Sequence, residues 1–422
     1  MNNFSELDRR QFRGILNTVL HPSENIFVPD QLKGREKHLR NMRDCFETPG
    51  TQAFIWGPRG VGKTSLGHTS CEEHSDIVTF STTIACEKDA TISQIFTDIV
   101  RAVVLSNKVK LEDPNTAVKL SAYGFELSGN RANPKERIII ESPNHAVDLL
   151  NTIFPPAQHA ENAPVVIIDE FDRLQNQETR RMFASVLKQL SVEGCRVQFI
   201  FCGVARNLGE LIHSHESVER YVYGVELEPL TQDALWLIID DIEKTFKVSF
   251  NRGQKMRLGQ ISSGYAHFTH LMLKNILLRM YEGQITSKSI PAAIYKQGIQ
   301  DSAQQAATGL KTAYEAATKK STDRYVEALW AVAQGIHLEK QFKTIIKDYD
   351  FIMDSRPHRE RLNTEKKNGM ALRNALNMLT KDGHLLKRGT GWYQFSNPML
   401  RSYVRMVAEQ EGMELGDESF SN

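Results

Sequence analysis

The octapeptide Gly57-Pro58-Arg59-Gly60-Val61-Gly62-Lys63-Thr64, entered directly from the apolar run Phe54-Ile55-Trp56, constrains the fold more than any other stretch of this sequence. It satisfies G-x-x-x-x-G-K-[ST], the phosphate-binding loop that joins a strand to a helix. Small residues at Gly57, Gly60 and Gly62 let backbone N–H groups wrap a phosphate closely, where a β-carbon would hold the backbone away. Lys63 then reaches the β- and γ-phosphates and Thr64 supplies a hydroxyl for Mg²⁺. The helix opening near Ser65 turns its positive end toward the anion. The span from Gly57 to Ser65 is therefore the candidate nucleotide site.

A second element points to the same chemistry. Val165-Val166-Ile167-Ile168 is a continuous β-branched run, as a strand covered on both faces requires, and it ends in Asp169-Glu170. A carboxylate at the carboxyl end of a central parallel strand lies beside the phosphate crevice. Asp169 is placed to hold Mg²⁺ and its hydration shell, and Glu170 to polarise an attacking water. The fold class expected is α/β, with a parallel-sheet P-loop core.

The 422 residues exceed one compact domain, so two or three are expected. A net charge of +1 gives no global pull toward nucleic acid or anionic membrane, and any such partner must be met by a local patch. No window approaches 18 consecutive apolar residues, and the first sixteen residues do not read as a secretory signal. Five scattered cysteines without a C-x-x-C pair argue against a disulfide framework or zinc module and fit a reducing cytoplasm. His267 and His270 share a helix face without a nearby cysteine or carboxylate cluster, and read as packing residues.

The marks taken in order resemble the AAA+ ATPases, and among them the group of origin-recognition initiators, transposition-regulator ATPases and STAND-type switches. They are Gly34-Arg35-Glu36, the P-loop, Asp169-Glu170, the strand Val197 to Gly203, Ser217-Val218-Glu219-Arg220, and Val225 to Leu230. The resemblance implies ATP as ligand, a helical lid after the core, and a nucleotide-dependent homo-oligomer. Arg220 would then reach the γ-phosphate held by a neighbouring subunit. Two departures stand out. Cys202-Gly203-Val204 occupies the place of a polar sensor, a role that either falls weakly to Cys202 or moves to Asn207. Gly264-Tyr265-Ala266-His267 stands where initiator-like relatives carry a sensing arginine, a role His267 would fill in part. Slow hydrolysis is the expectation.

The chain divides by pattern into an N-terminal helical segment (1–24), the core (25–228), a lid (229–296), a connecting helix (297–320), a carboxyl-terminal domain (321–410) and an acidic tail (411–422). Within the core, 105–145 reads as an inserted β-ribbon with strands at Ala117 to Leu120 and Arg137 to Ile140. Its basic residues, Lys108, Lys110, Lys119, Arg131, Lys135 and Arg137, read first as a solvated hairpin face and otherwise as contacts to a nucleic-acid backbone. In 321–410, helices at Tyr325 to Ala333, Phe342 to Asp348 and Glu365 to Leu379 precede a hairpin around Gly389 and Gly391, the pattern of a winged helix. Lys366, Lys367, Asn368, Arg373 and Asn374 on the third helix, with Lys387 and Arg388 on the wing, would meet double-stranded DNA. This segment carries 15 basic against 10 acidic side chains, while the tail has four acidic and none basic. The function expected is a nucleotide-driven ATPase acting on DNA or a DNA-processing partner. The alternative is a STAND-like switch that gates an effector protein without binding DNA.

Overall fold

A computed structural model describes residues 4–22, 25–48, 50–106, 125–128, 131–134, 138–154, 163–193, 196–205, 219–319, 325–359, 362 and 369–416. The chain separates into two compact units, one of residues 25–228 and one combining 1–24 with 229–422.

The first unit is a five-stranded sheet of β1 (Gln52–Trp56), β2 (Val78–Ala85), β5 (Ala163–Asp169), β6 (Gln198–Gly203) and β7 (Val222–Glu226), with a separate ribbon of β3 (Phe125–Ser128) and β4 (Arg131–Pro134). The sheet order is β2-β5-β6-β1-β7, and every pair in it is parallel. Parallel neighbours need crossovers, which the helices Lys63–Glu73, Ile92–Leu105, Pro143–Ile153 and Gln177–Glu193 supply. Both faces of the sheet are thereby covered. Val165, Val166, Ile167 and Ile168 are fully buried for that reason, and all six residues of β6 are buried as well. On one face Phe54, Phe171, Phe183, Phe199 and Phe201 form an aromatic layer, with Phe54 stacked on Phe201 at 4.4 Å.

The inserted ribbon is present, but its strands differ from those the alternation indicates. Phe125 pairs with Pro134 and Ser128 with Arg131, so the segment read as a turn supplies both strands. Ile138 to Ile140 is not a strand. Ile138 and Ile140 are buried in the core, and their N–H groups donate to Thr97 Oγ1 and Ser93 Oγ on the helix Ile92–Leu105. Ala117 to Leu120, Lys108, Lys110, Lys119, Lys135 and Arg137 lie outside the described residues.

The second unit is mainly helical. Its helix Arg9–Val19 opens on a capping box between Asp8 and Gln11 and buries Phe12, whose ring stacks on Tyr281 at 4.2 Å. The helices Gln232–Phe246, Arg252–Ser262 and Ala266–Glu282 follow the core. The expected connecting helix over 297–320 is instead the end of the helix Ala292–Gln305 and all of Thr308–Thr318, broken at Ala306, which is extended at ψ 153°. Helix propensity would carry the chain straight through. Burial of Ile299, Ala303, Ala306 and Leu310 in one core overrides it.

The helices Tyr325–Ala333, Phe342–Asp354, Met370–Lys381 and Pro398–Gln410 surround a small antiparallel sheet of β8 (Lys340–Gln341), β9 (Leu385–Arg388) and β10 (Trp392–Phe395), ordered β8-β10-β9. The third helix, expected from Glu365, begins at Met370 after Gly369 at φ +75°. The second runs on to Asp354, beyond the expected Asp348.

The interior of this unit is unusually cationic. Arg401 and Arg405 are buried and donate to carbonyls, both of them to Ala333 O and Gly335 O at the end of Tyr325–Ala333, with Arg405 also reaching Gln260 O. Cations at a helix carboxyl end complement its dipole and its orphan carbonyls. The buried Lys340 pairs with Asp348, whereas no described carboxylate is bonded to Arg401 or Arg405.

Candidate functional site

The phosphate loop leaves β1 at Trp56 and enters the helix Lys63–Glu73 at Gly62. Two of its glycines have different physical reasons. Gly57 is a close approach, because a β-carbon there would lie 2.1 Å from Leu227 O, which follows β7. Gly62 is a conformational requirement, at φ +99°, and a β-carbon on it would meet nothing within 4 Å. Gly57→Ala should therefore cost roughly 3 kcal/mol of stability, read as a lowered urea midpoint. A parent-like midpoint would contradict the Leu227 contact.

Lys63 Nζ donates to Gly57 O at 3.1 Å and Pro58 O at 3.0 Å, and burial lowers its pKa. Arg35, buried behind the loop, donates from Nη2 to Val61 O at 3.2 Å and Glu228 O at 2.7 Å. Its guanidinium fastens the loop from below, and desolvation pushes its pKa down to about 10. Ser65 Oγ accepts from Ile26 N, and Thr69 Oγ1 donates to Ile26 O, so the chain before Gly34 is tied along the same helix.

The acidic pair arrives from β5, two strands away from β1. At the usual strand spacing that is roughly 10 Å, a gap that the first turn of the loop helix closes. Thr64 Oγ1 donates to Asp169 Oδ2 at 2.8 Å. Asp169 Oδ1 accepts the N–H of Glu170 at 2.8 Å, which orients the carboxylate from both sides. Glu170 stands at φ +51°, an uncommon conformation for a side-chain-bearing residue and one that concentrates at functional sites. Its Oε2 lies 2.5 Å from Arg173 Nη1 in a half-exposed ion pair.

Residues 31–200 match the family model described as AAA ATPase domain. Over those residues the core is similar to a AAA-type P-loop ATPase domain. Comparison with curated protein sequences gave no match. Among solved structures the chain is similar to a Walker-type ATPase of Pyrococcus abyssi, at 14% identity and TM-score 0.51, covering 91% of this chain and 99% of that one. It also matches Cdc6p from Pyrobaculum aerophilum, at 15% identity, TM-score 0.45, and 93% and 97% coverage. The Orc1 protein of Aeropyrum pernix, solved in complex with DNA, aligns at 13% identity, TM-score 0.43, and 94% and 96% coverage. At such identities a likeness speaks of fold.

The remaining sequence candidates divide between the two units. Cys202 is wholly buried in the layer with Ile55 and Leu66, and desolvation pushes its thiol pKa up. It is a weak donor facing the interior. Asn207, Ser217 and Val218 fall outside the described residues. In the second unit, His267 Nδ1 is engaged by Pro22 O, so that nitrogen is committed within its own unit. His270 is buried and held neutral, its pKa pushed down to about 3 by desolvation.

Arg220 is exposed on the short turn Glu219–Tyr221 before β7. β7 starts opposite Gln52, while the phosphate loop leaves β1 after Trp56, opposite Glu226. Arg220 is therefore at the far edge of the sheet, about 13 Å of strand from its own loop.

Of the basic residues expected to meet DNA, several are engaged internally. Arg373 lies over the Phe342 ring at 3.9 Å, Lys387 donates to Asn377 Oδ1 at 3.2 Å, and Arg388 pairs with Glu339. Asn374 is exposed, and Lys366, Lys367 and Asn368 lie outside the described residues. The surplus of positive charge in 321–410 includes the buried Arg401 and Arg405, which no surface partner reaches.

Reasoning from the sequence missed three site residues. Arg35 was visible only as part of a tripeptide, and Arg173 and Asp172 follow the acidic pair too closely to be distinguished from ordinary turn residues. Asp172 Oδ1 accepts from Val204 N at 2.8 Å.

Proposed function

We propose that this chain binds ATP with Mg²⁺ at Gly57 to Ser65 and Asp169 and hydrolyses it slowly, using the turnover to drive an assembly or rearrangement. The observation that carries this reading is the 2.8 Å bond between Thr64 Oγ1 and Asp169 Oδ2. A hydroxyl and a carboxylate brought together beside a phosphate loop are the hard oxygen donors that suit Mg²⁺, which usually keeps several waters and few protein ligands. When bound, Mg²⁺ would neutralise charge on the phosphate oxygens. Thr64 and Asp169 would hold it, and Lys63, now donating to loop carbonyls, would turn its ammonium to the β- and γ-phosphates. Glu170 would accept a proton from the attacking water or orient it, once released from Arg173. Arg220, remote from its own loop, suits a role at the γ-phosphate of a second copy, which makes the active form a nucleotide-dependent homo-oligomer.

We read the helices and small sheet of 325–410 as a winged helix, and place the chain with the initiator, transposition-regulator and STAND-like group on the order of its motifs. Double-stranded DNA is then the partner of the third helix and wing, and the setting is cytoplasmic. No helix among the described residues is long and apolar enough to cross a membrane. The internal engagement of Arg373 and Arg388 favours a second reading, in which the chain is a nucleotide-gated switch for an effector protein.

The two are separated by measuring ATP turnover with and without a 20-base-pair duplex, about two turns of DNA at ~10.5 base pairs each, beside sizing with a slowly hydrolysed ATP analogue. The DNA reading expects stimulation, oligomer growth and affinity that falls with salt, with a shallow slope because few cations are available. Oligomer growth with no DNA response at low salt favours the effector switch.

A further inference from the structure

The turn that carries Glu170 is held more firmly than its half-exposed position requires. Phe171 anchors it in the aromatic layer, with its ring 4.9 Å from Phe201. Arg180 grips it from the helix Gln177–Glu193, donating from Nη2 to Asp172 O at 3.2 Å and from Nε to Leu174 O at 2.6 Å. The third hold is a side chain. Asp172 Oδ1 accepts the N–H of Val204, the first residue after β6, at 2.8 Å. The described end of β6 offers only Cys202, Gly203, Val204 and Ala205, none of which is a strong side-chain donor or acceptor. The strong polar group found there comes instead from the neighbouring turn.

We infer that Asp172 is the positioning residue of the catalytic turn: by fastening it to the end of β6, it keeps Glu170 in its left-handed conformation, with the Glu170 N–H on the Asp169 carboxylate. This rests on the ATPase reading above and deepens it. Asp172 thus connects two parts of one site: the Glu170 turn and the β6 end. No contact of Asp172 with nucleotide is implied, so its loss should slow turnover without weakening binding.

The test compares Asp172→Ala with Asp172→Asn, which keeps an acceptor oxygen for Val204. Phosphate release from ATP, ADP affinity, melting temperature and amide exchange at Val204 are measured on the whole chain. Asp172→Ala should lower kcat by about tenfold or more, since small misplacements of a catalytic group are expensive, with KM and ADP affinity within about twofold. Its Val204 amide should exchange faster than in the parent. Asp172→Asn should recover kcat to within about threefold of the parent and keep Val204 protected. If Asp172→Ala melts too early to assay, the asparagine variant still decides, because a tenfold loss there would overturn the positioning role. Parent-like turnover in Asp172→Ala would overturn it too. An inactive parent would refute the ATPase reading and this inference with it, whereas an active parent with indifferent Asp172 variants would refute this inference alone.

Discussion

Replacing Lys63 by alanine is expected to reduce affinity for ATP and ADP by about a hundredfold or more, because two or three charge-assisted contacts to phosphate oxygens are lost, at roughly 1.5–3 kcal/mol for each such bond. The fold should survive. Among the described residues Lys63 donates to Gly57 O and Pro58 O, and burial disfavours its charged form. A buried base with a lowered pKa costs stability while protonated, and the cost fades as pH rises through that pKa. Removing the side chain removes this cost, so Lys63→Ala should melt no earlier than the parent at neutral pH. Lost binding with an unchanged melting temperature assigns Lys63 to ligand recognition. Lost binding together with early melting would mean that the loop had collapsed.

Glu170→Gln should produce the second large effect, a fall in kcat of roughly a hundredfold or more with ATP binding retained, as expected when a proton acceptor becomes a neutral amide. The substitution removes the ion pair with Arg173, but both partners are about half exposed and such pairs contribute little. Melting should be nearly unchanged. Single-turnover phosphate release checks the rate, and the nucleotide recovered with the protein after incubation with ATP should be ATP and not ADP. If the glutamine variant turns over like the parent, Glu170 is a surface carboxylate at a strand end and the proton acceptor is another group.

The parts of the site legible in the sequence were those that local spacing dictates. Gly57 to Thr64 follows an apolar strand directly, and Asp169-Glu170 follows four buried β-branched residues, so period and position located both. What escaped was tertiary. The Arg35 bonds to Val61 O and Glu228 O join residues 26 and 193 positions apart, and no local pattern announces them. The charge surplus of 321–410 is legible as a count, but a count does not separate a surface arginine from Arg401 and Arg405, which cap helix carbonyls in the interior. The break at Ala306 was missed for a related reason. Alanine-rich sequence favours an unbroken helix, and only the burial of Ala306 and Leu310 in a common core reveals the turn.

The most direct test of the nucleotide site is a calorimetric titration of ATP into the intact chain, run with Mg²⁺, with excess EDTA, and with Lys63→Ala. The Thr64–Asp169 geometry predicts one site per chain in Mg²⁺, weakening about tenfold or more in EDTA and lost in the lysine variant. Absence of binding in Mg²⁺, or equal affinity for the parent and Lys63→Ala, would contradict it.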